Sequence, residues 1–201
     1  MELPSRHTLL AFENSLWSKG FSSVAGMDEA GRGPLAGPVV AAIVIFEKDY
    51  YIDGVYDSKA LSASKRSALY DIITQNAVCY SLGIVDNNTI DRINILEATK
   101  LAMLNALSQL KTKPDFVLID AVDLRLSIPY SPIIKGDQKS FSIAAASIIA
   151  KVYRDRLMDQ LHIEYPFYNW DKNKGYGTLK HRDAIKETGF SPYHRKSFTV
   201  K

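Results

Sequence analysis

The sequence predicts an α/β fold, a sheet domain with helical additions at its C-terminal end. Three observations carry that reading: a β-branched run, Pro38 to Phe46, suited to a buried strand; strand-like runs that alternate with helical ones further on; and a last stretch of aromatic loop and short helix. Phe21 to Met27 reads as the first strand, ending at Asp28, and a Gly- and Pro-rich turn leads tightly into the second. Ser62 to Asn76 has helical spacing, with Leu69, Ile72 and Ile73 on one face. Val78 to Val85 is a third strand. Asn88 or Thr89 caps a long helix in which Ile93, Leu96, Leu101, Leu104, Leu107 and Leu110 recur at spacings of three to five, and Lys113-Pro114 ends it. Phe116 to Ile119 is a fourth strand that stops at Asp120. A loop with Pro129 and Pro132 leads to a short strand at Ile133-Ile134, ending at Asp137. The helix over about 141–162 carries Ala144-Ala145-Ala146-Ser147, small enough to pack closely on a sheet, and Pro166 closes it. A short helix near 179–187 follows an aromatic loop.

At 201 residues the chain suits one domain, 1–201, and no linker divides it. The net charge of +3 is uneven: residues 171–201 hold eight Lys/Arg against three Asp/Glu. A basic region over about 165–201 fits a phosphate-rich partner. Cys79 is the single cysteine, which excludes an intramolecular disulfide and points to a cytoplasmic location. No run approaches the roughly 18 apolar residues of a membrane span. Met1 to Phe12, broken by charges and Pro4, lacks the apolar core of a signal peptide.

Asp28 and Glu29 stand side by side and open into Gly31-Arg32-Gly33. Two adjacent carboxylates are costly to bury, because each raises the other's pKa and neither is paired. A cation must offset them. Asp120 and Asp137 also close strands, so if those strands are neighbours four carboxylates converge at one sheet edge. Hard oxygen ligands select Mg²⁺ or Mn²⁺, and two such ions would clamp an in-line phosphodiester displacement. Taken singly, an Asp at a strand end is more often a turn former, and Asp137 could simply cap the next helix. Asp123 leaves the identity of the third ligand open. Gly31 to Ala36 formally matches a dinucleotide fingerprint, but Pro34 and the strand after it exclude the helix that motif requires. The four histidines show no zinc spacing, and no Gly-x-Ser-x-Gly elbow occurs.

Met27-Asp28-Glu29-Ala30-Gly31-Arg32-Gly33-Pro34-Leu35-Ala36-Gly37-Pro38-Val39 resembles the opening motif of bacterial ribonuclease HII, the type 2 ribonucleases H. Asp57-Ser58-Lys59 with Leu61-Ser62, Lys135-Gly136-Asp137 through Ala150-Lys151-Val152, Lys174-Gly175-Tyr176-Gly177-Thr178 and His194-Arg195-Lys196-Ser197-Phe198 are similar to its later blocks, in order. The resemblance implies a ribonuclease H-like fold: a five-stranded mixed sheet flanked by helices, with a C-terminal helical region. It implies an endonuclease that cuts the RNA strand of RNA–DNA hybrids and cuts 5′ of single ribonucleotides in duplex DNA, leaving 3′-hydroxyl and 5′-phosphate ends. Asp28, Glu29, Asp120 and Asp137 carry over as the acids holding two Mg²⁺ or Mn²⁺ ions. Gly31, Arg32 and Gly33 approach the nucleic-acid backbone, Tyr176 packs on the sugar after the ribonucleotide, and Lys59 and Arg195 are candidate phosphate contacts. Ala121 stands where many relatives have glycine. The C-terminus has no glutamine-initiated aromatic motif, which argues against docking to a sliding clamp, and a monomer is expected. Another nuclease of the same fold would share the acids but lack the Gly-Arg-Gly and Gly-Tyr-Gly blocks.

Overall fold

The computed structural model describes residues 4–200. Residues 1–3, part of the segment read above for a signal peptide, and Lys201 of the basic tail lie outside the described residues. A five-stranded sheet has the order β3-β2-β1-β4-β5. Its strands are β1 (Val24–Ala30), β2 (Val39–Ile45), β3 (Cys79–Val85), β4 (Phe116–Asp120) and β5 (Tyr130–Ile133). The first three are antiparallel neighbours, whereas β4 lies parallel to β1 and β5 parallel to β4, so the sheet is mixed. β1 reaches beyond the expected end: pairing with β2 continues to Ala30 opposite Val40, so Asp28 and Glu29 lie within the strand. β5 begins earlier than expected and contains Pro132, which an edge strand tolerates because one side of its backbone needs no ladder bond.

The helices are α1 (Arg6–Leu9), α2 (Ala11–Ser18), α3 (Ala63–Asn76), α4 (Asn87–Ile93), α5 (Ile95–Ser108), α6 (Phe141–Glu164), α7 (Trp170–Asn173) and α8 (Leu179–Thr188). Every second residue of a strand faces the same way. Ala42 and Val44 of β2 therefore meet α3 and α6 on one face, while Ala41, Ile43 and Ile45 meet α5 on the other. Cys79 is half-buried against the α5 side.

The expected helix boundaries and the cap at Asn88 or Thr89 are corrected here. The single long helix is two, because Asn94 takes φ 67 and its side chain caps α5 by accepting from the N–H groups of Leu96 and Glu97; Asp86, one residue before α4, caps that helix through Thr89 N–H. Only part of the leucine stripe packs in the core: Leu110 is buried there and Leu107 packs against it. Leu96, Leu101 and Leu104 are exposed, and Ala98, Ala102, Met103 and Ala106 are buried instead. Helix and sheet approach so closely that a Cβ at Gly83 would lie 1.9 Å from the Ala102 carbonyl oxygen, so only glycine fits there. Ile72 of α3 is likewise exposed while Leu69 and Ile73 are buried.

Candidate active site

The four acids come from three neighbouring strand ends. In the β1–β4 register Met27 faces Ile119, so Asp28 and Asp120 stand one step further along adjacent parallel strands. Alternation puts Asp28 with Val24, and Asp120 with Leu118, on the α6 side of the sheet. Asp120 Oδ1 accepts from the Gly136 N–H at 2.7 Å, which brings the turn carrying Asp137 to the end of β4. Asp137 lies in a 3-10 turn, Gly136–Gln138, and does not cap α6; Ser140 does, accepting from the Ile143 N–H. Glu13 of α2 reinforces that helix start by accepting from the Ser140 hydroxyl and the Ser142 N–H.

Burial, followed by the charges of Glu29 and Asp120, pushes Asp28 well above the usual carboxylate range. Burial also raises Glu29, with Arg32 opposing, and burial with Asp120 raises Asp137. Burial works against the Lys59 ammonium, but Asp137, Asp28, Asp57 and Asp120 hold its pKa above the ordinary value. Lys59 Nζ is 3.8 Å from Asp137 Oδ2 and largely exposed, so it sits at the acids. Arg32 reaches back to Glu29 at 3.3 Å, leaving Glu29 Oε2 buried with no protein partner.

That orphaned oxygen, the hard-oxygen donor set and the mutual repulsion of the acids fit a divalent cation. Among the described residues no three His, Cys, Asp or Glu side chains are already gathered into a metal cage. Asp123 faces away: it accepts from the Tyr130 hydroxyl and the Arg125 N–H, bracing an exposed loop.

Beside the acids lies a cleft of about 550 Å³ lined by Glu29, Gly31, Arg32, Gly33, Ser58, Lys59, Arg66, Ser147, Lys151 and Tyr176. The Tyr176 ring is 44% exposed and lies 3.7 Å from where a Gly33 Cβ would be, so two motifs 143 positions apart meet. Their loops interlock: Leu35 N–H donates to the Gly175 carbonyl at 2.8 Å. Gly175 takes φ +86, and a Cβ there would lie 2.5 Å from the Ala36 oxygen.

Arg195, expected at phosphate, is corrected. It is 1% exposed and donates to the carbonyls of Gly31, Arg32, Gly37 and Pro38. Its guanidinium is turned inward and is out of reach of a substrate. The peptides are trans, so pinning the Gly31 and Arg32 oxygens inward points the Arg32 and Gly33 N–H groups the other way. Among the described residues neither N–H has a protein acceptor. Paired outward amides of this kind favour an anion.

Sequence reasoning missed Arg154, also 1% exposed, which donates to the Ala36, Pro38 and Lys174 carbonyls. Gly31, at φ +99, leaves room for it: a Cβ there would lie 2.1 Å from Arg154 Nε. A signal existed, since Ala150, Arg154 and Met158 recur every four residues on the buried stripe of α6.

Solved structures share this architecture. The ribonuclease H2 of Pyrococcus horikoshii OT3 matches with a TM-score of 0.76 and 29% identity, over 89% of this chain and 94% of that one. Ribonuclease HII in the PCNA complex from Archaeoglobus fulgidus matches at 0.70 and 27%, over 86% and 92%. Bst-RNase HIII in complex with Mn²⁺ has the same fold at 0.72 and 20%, over 90% and 68%. Fold and site together define a ribonuclease H, an endonuclease. The family profile described as Ribonuclease HII matches residues 25–201. The ribonuclease HII of Acholeplasma laidlawii is 54% identical over 94% of this chain and 93% of its own length, and that of Clostridioides difficile 52% over 95% and 75%. The chain belongs to the ribonuclease HII family, whose activity is cleavage of the RNA in RNA–DNA hybrids. Among the described residues no helix is long and apolar enough to cross a membrane.

Proposed function

We propose that this ribonuclease cuts 5′ of single ribonucleotides embedded in duplex DNA as well as within longer hybrids, with Asp28, Glu29, Asp120 and Asp137 holding two Mg²⁺ or Mn²⁺ ions. The observation that carries the reading is the meeting of mutually repelling carboxylates beside a cleft that Glu29 lines together with the Gly33–Tyr176 contact. The bound ions supply a water of lowered pKa and charge stabilisation at the leaving oxygen. The chain's own groups do the rest. Asp28 and Asp120 aim their carboxylates from adjacent strands, and Arg32 orients Glu29. The outward N–H groups of Arg32 and Gly33 take phosphate or 2′-hydroxyl oxygens, since the 2′-hydroxyl is what distinguishes RNA from DNA. The exposed face of Tyr176 packs on the sugar of the next nucleotide. Lys59 balances the acids and contacts phosphate, and the region over 165–201 of the single domain adds backbone contacts. The Archaeoglobus fulgidus relative is in complex with PCNA, which keeps a sliding clamp open as a partner.

The test incubates the protein with a hybrid, a single-ribonucleotide duplex and an all-DNA duplex, with and without chelator. Asp28→Asn is expected to lose at least about 10³-fold in rate, some 4 kcal/mol of barrier, and to weaken Mn²⁺ binding in calorimetry. Undiminished cutting by Asp28→Asn, or a chelator-resistant rate, defeats the metal reading. Cleavage of the all-DNA duplex defeats the proposed substrate.

A further inference from the structure

A buried pair of histidines, His181 and His194, lies behind Tyr176, and neither ring has any solvent-exposed surface. Their hydrogen atoms are fixed by two donors that cannot accept. The Ser191 N–H points at His194 Nδ1 (2.9 Å), and the Trp170 Nε1–H points at His181 Nε2 (3.1 Å). Both ring nitrogens must therefore be unprotonated. His194 carries its proton on Nε2, 3.0 Å from His181 Nε2, and His181 carries its own on Nδ1, 2.9 Å from the Tyr176 carbonyl. The bonds run in one direction only: Ser191 to His194 to His181 to Tyr176. Protonating either ring would set an N–H against another N–H. Burial accordingly lowers the pKa of both rings, that of His194 to about 4.

The chain ends on a peptide that is held from every side. The Tyr176 carbonyl also accepts from the Thr178 N–H, the Tyr176 N–H donates to the Asn173 carbonyl, and the neighbouring Gly175 carbonyl accepts from Leu35. The ring is thus presented on a backbone that has no freedom to rotate.

We infer that His181 is a positioning residue for Tyr176: the one-way chain from Ser191 through His194 sets its tautomer, and its Nδ1–H holds the tyrosine where it reads the ribonucleotide junction. This rests on the role proposed above for Tyr176 and adds what fixes it there.

The test uses the full chain with isotope-labelled histidine. Nitrogen–proton correlation NMR near neutral pH is expected to show His181 as the Nδ1–H tautomer and His194 as the Nε2–H tautomer, and the opposite tautomer in either ring overturns the chain. His181→Ala is expected to lower kcat/KM on a single-ribonucleotide duplex roughly tenfold, the worth of about one hydrogen bond, with a smaller loss on a long hybrid. Tyr176→Ala should move the same ratio, and the double variant should add little to it, as expected of residues acting as one unit. His181→Asn, whose amide can donate to the same carbonyl, should restore the ratio. A folded His181→Ala with an unchanged ratio, beside a Tyr176→Ala that alters it, overturns the positioning role and leaves the reading of Tyr176 standing. If Tyr176→Ala leaves the ratio unchanged, the reading of Tyr176 falls and the inference with it. Should His181→Ala not fold, the tautomers in the native protein still decide.

Discussion

The acid cluster and the polar scaffold behind the substrate loops are built on opposite terms. At the acids, like charges face one another, burial raises the carboxylate pKa values, and Glu29 Oε2 lacks any partner. Behind the loops, Arg154 and Arg195 are as deeply buried, yet their guanidinium groups spend their donors on backbone carbonyls. The histidine chain beside them is satisfied end to end. The first region stores unfavourable electrostatics that a bound cation would relieve. The second, whose two guanidinium groups make no direct ion pair among the described residues, fixes shape.

Substitutions should therefore have opposite signs in the two regions. The largest effect is expected for Arg195→Lys, because an ammonium cannot reproduce a fork that serves four carbonyls. A loss of about 3 kcal/mol is expected, read as a lower urea midpoint, together with a raised KM as the Arg32 and Gly33 amides lose their orientation. A wild-type midpoint would mean that the guanidinium is not what holds the loop.

Acid should act on the same region. His194 has a folded pKa of about 4, below the ordinary value of 6.5, so its contribution is present above the unfolded pKa and is lost as pH falls from 6.5 towards 4. Linkage sets the loss at roughly 2–3 kcal/mol. Urea melts at the two ends of that window should show it, and His194→Asn, whatever its own stability, should flatten the dependence.

At the acids the sign reverses. Asp28 has a folded pKa above its unfolded value, so ionising its carboxyl costs the folded state stability as pH rises through the unfolded pKa. Asp28→Asn, inactive by the proposal above, should raise the melting temperature of the metal-free protein. About 1 kcal/mol corresponds to some 2–4 °C for a chain of this size, and a lower melting temperature would contradict the electrostatic account. The smallest change concerns Ala121, which holds φ 50 directly after Asp120. Left-handed backbone costs a residue with a Cβ roughly 1–2 kcal/mol, partly offset by the greater unfolded-state entropy of glycine. Ala121→Gly should stabilise by up to about 1 kcal/mol, measurable in the same melts.

The sequence by itself determined a good deal of this protein. The strand runs, the helices near 62–76 and 141–162, and the place of Asp120 where an apolar strand stops follow from local periodicity and from where that periodicity ends, whereas the adjacency of the strands that carry Asp28 and Asp120 does not. Periodicity says which residues share a face. It does not say which face meets the sheet, and so Leu96, Leu101 and Leu104 of α5 lie outside while its alanines and Met103 lie within. Nor does it show that Asn94 leaves the helical conformation, since the apolar spacing continues across it. Only the tertiary structure decided the direction of Arg195. A basic residue in a basic tail reads as a surface charge, but Asn87 of α4 takes the carbonyls of Pro192 and His194 while Asp91 takes the N–H groups of Lys196 and Ser197. Those anchors draw the tail across the molecule and turn its arginine towards Gly31. The physical reason is that contacts made more than 100 positions apart are set by how the layers close on one another, and no local pattern in the chain encodes that closure.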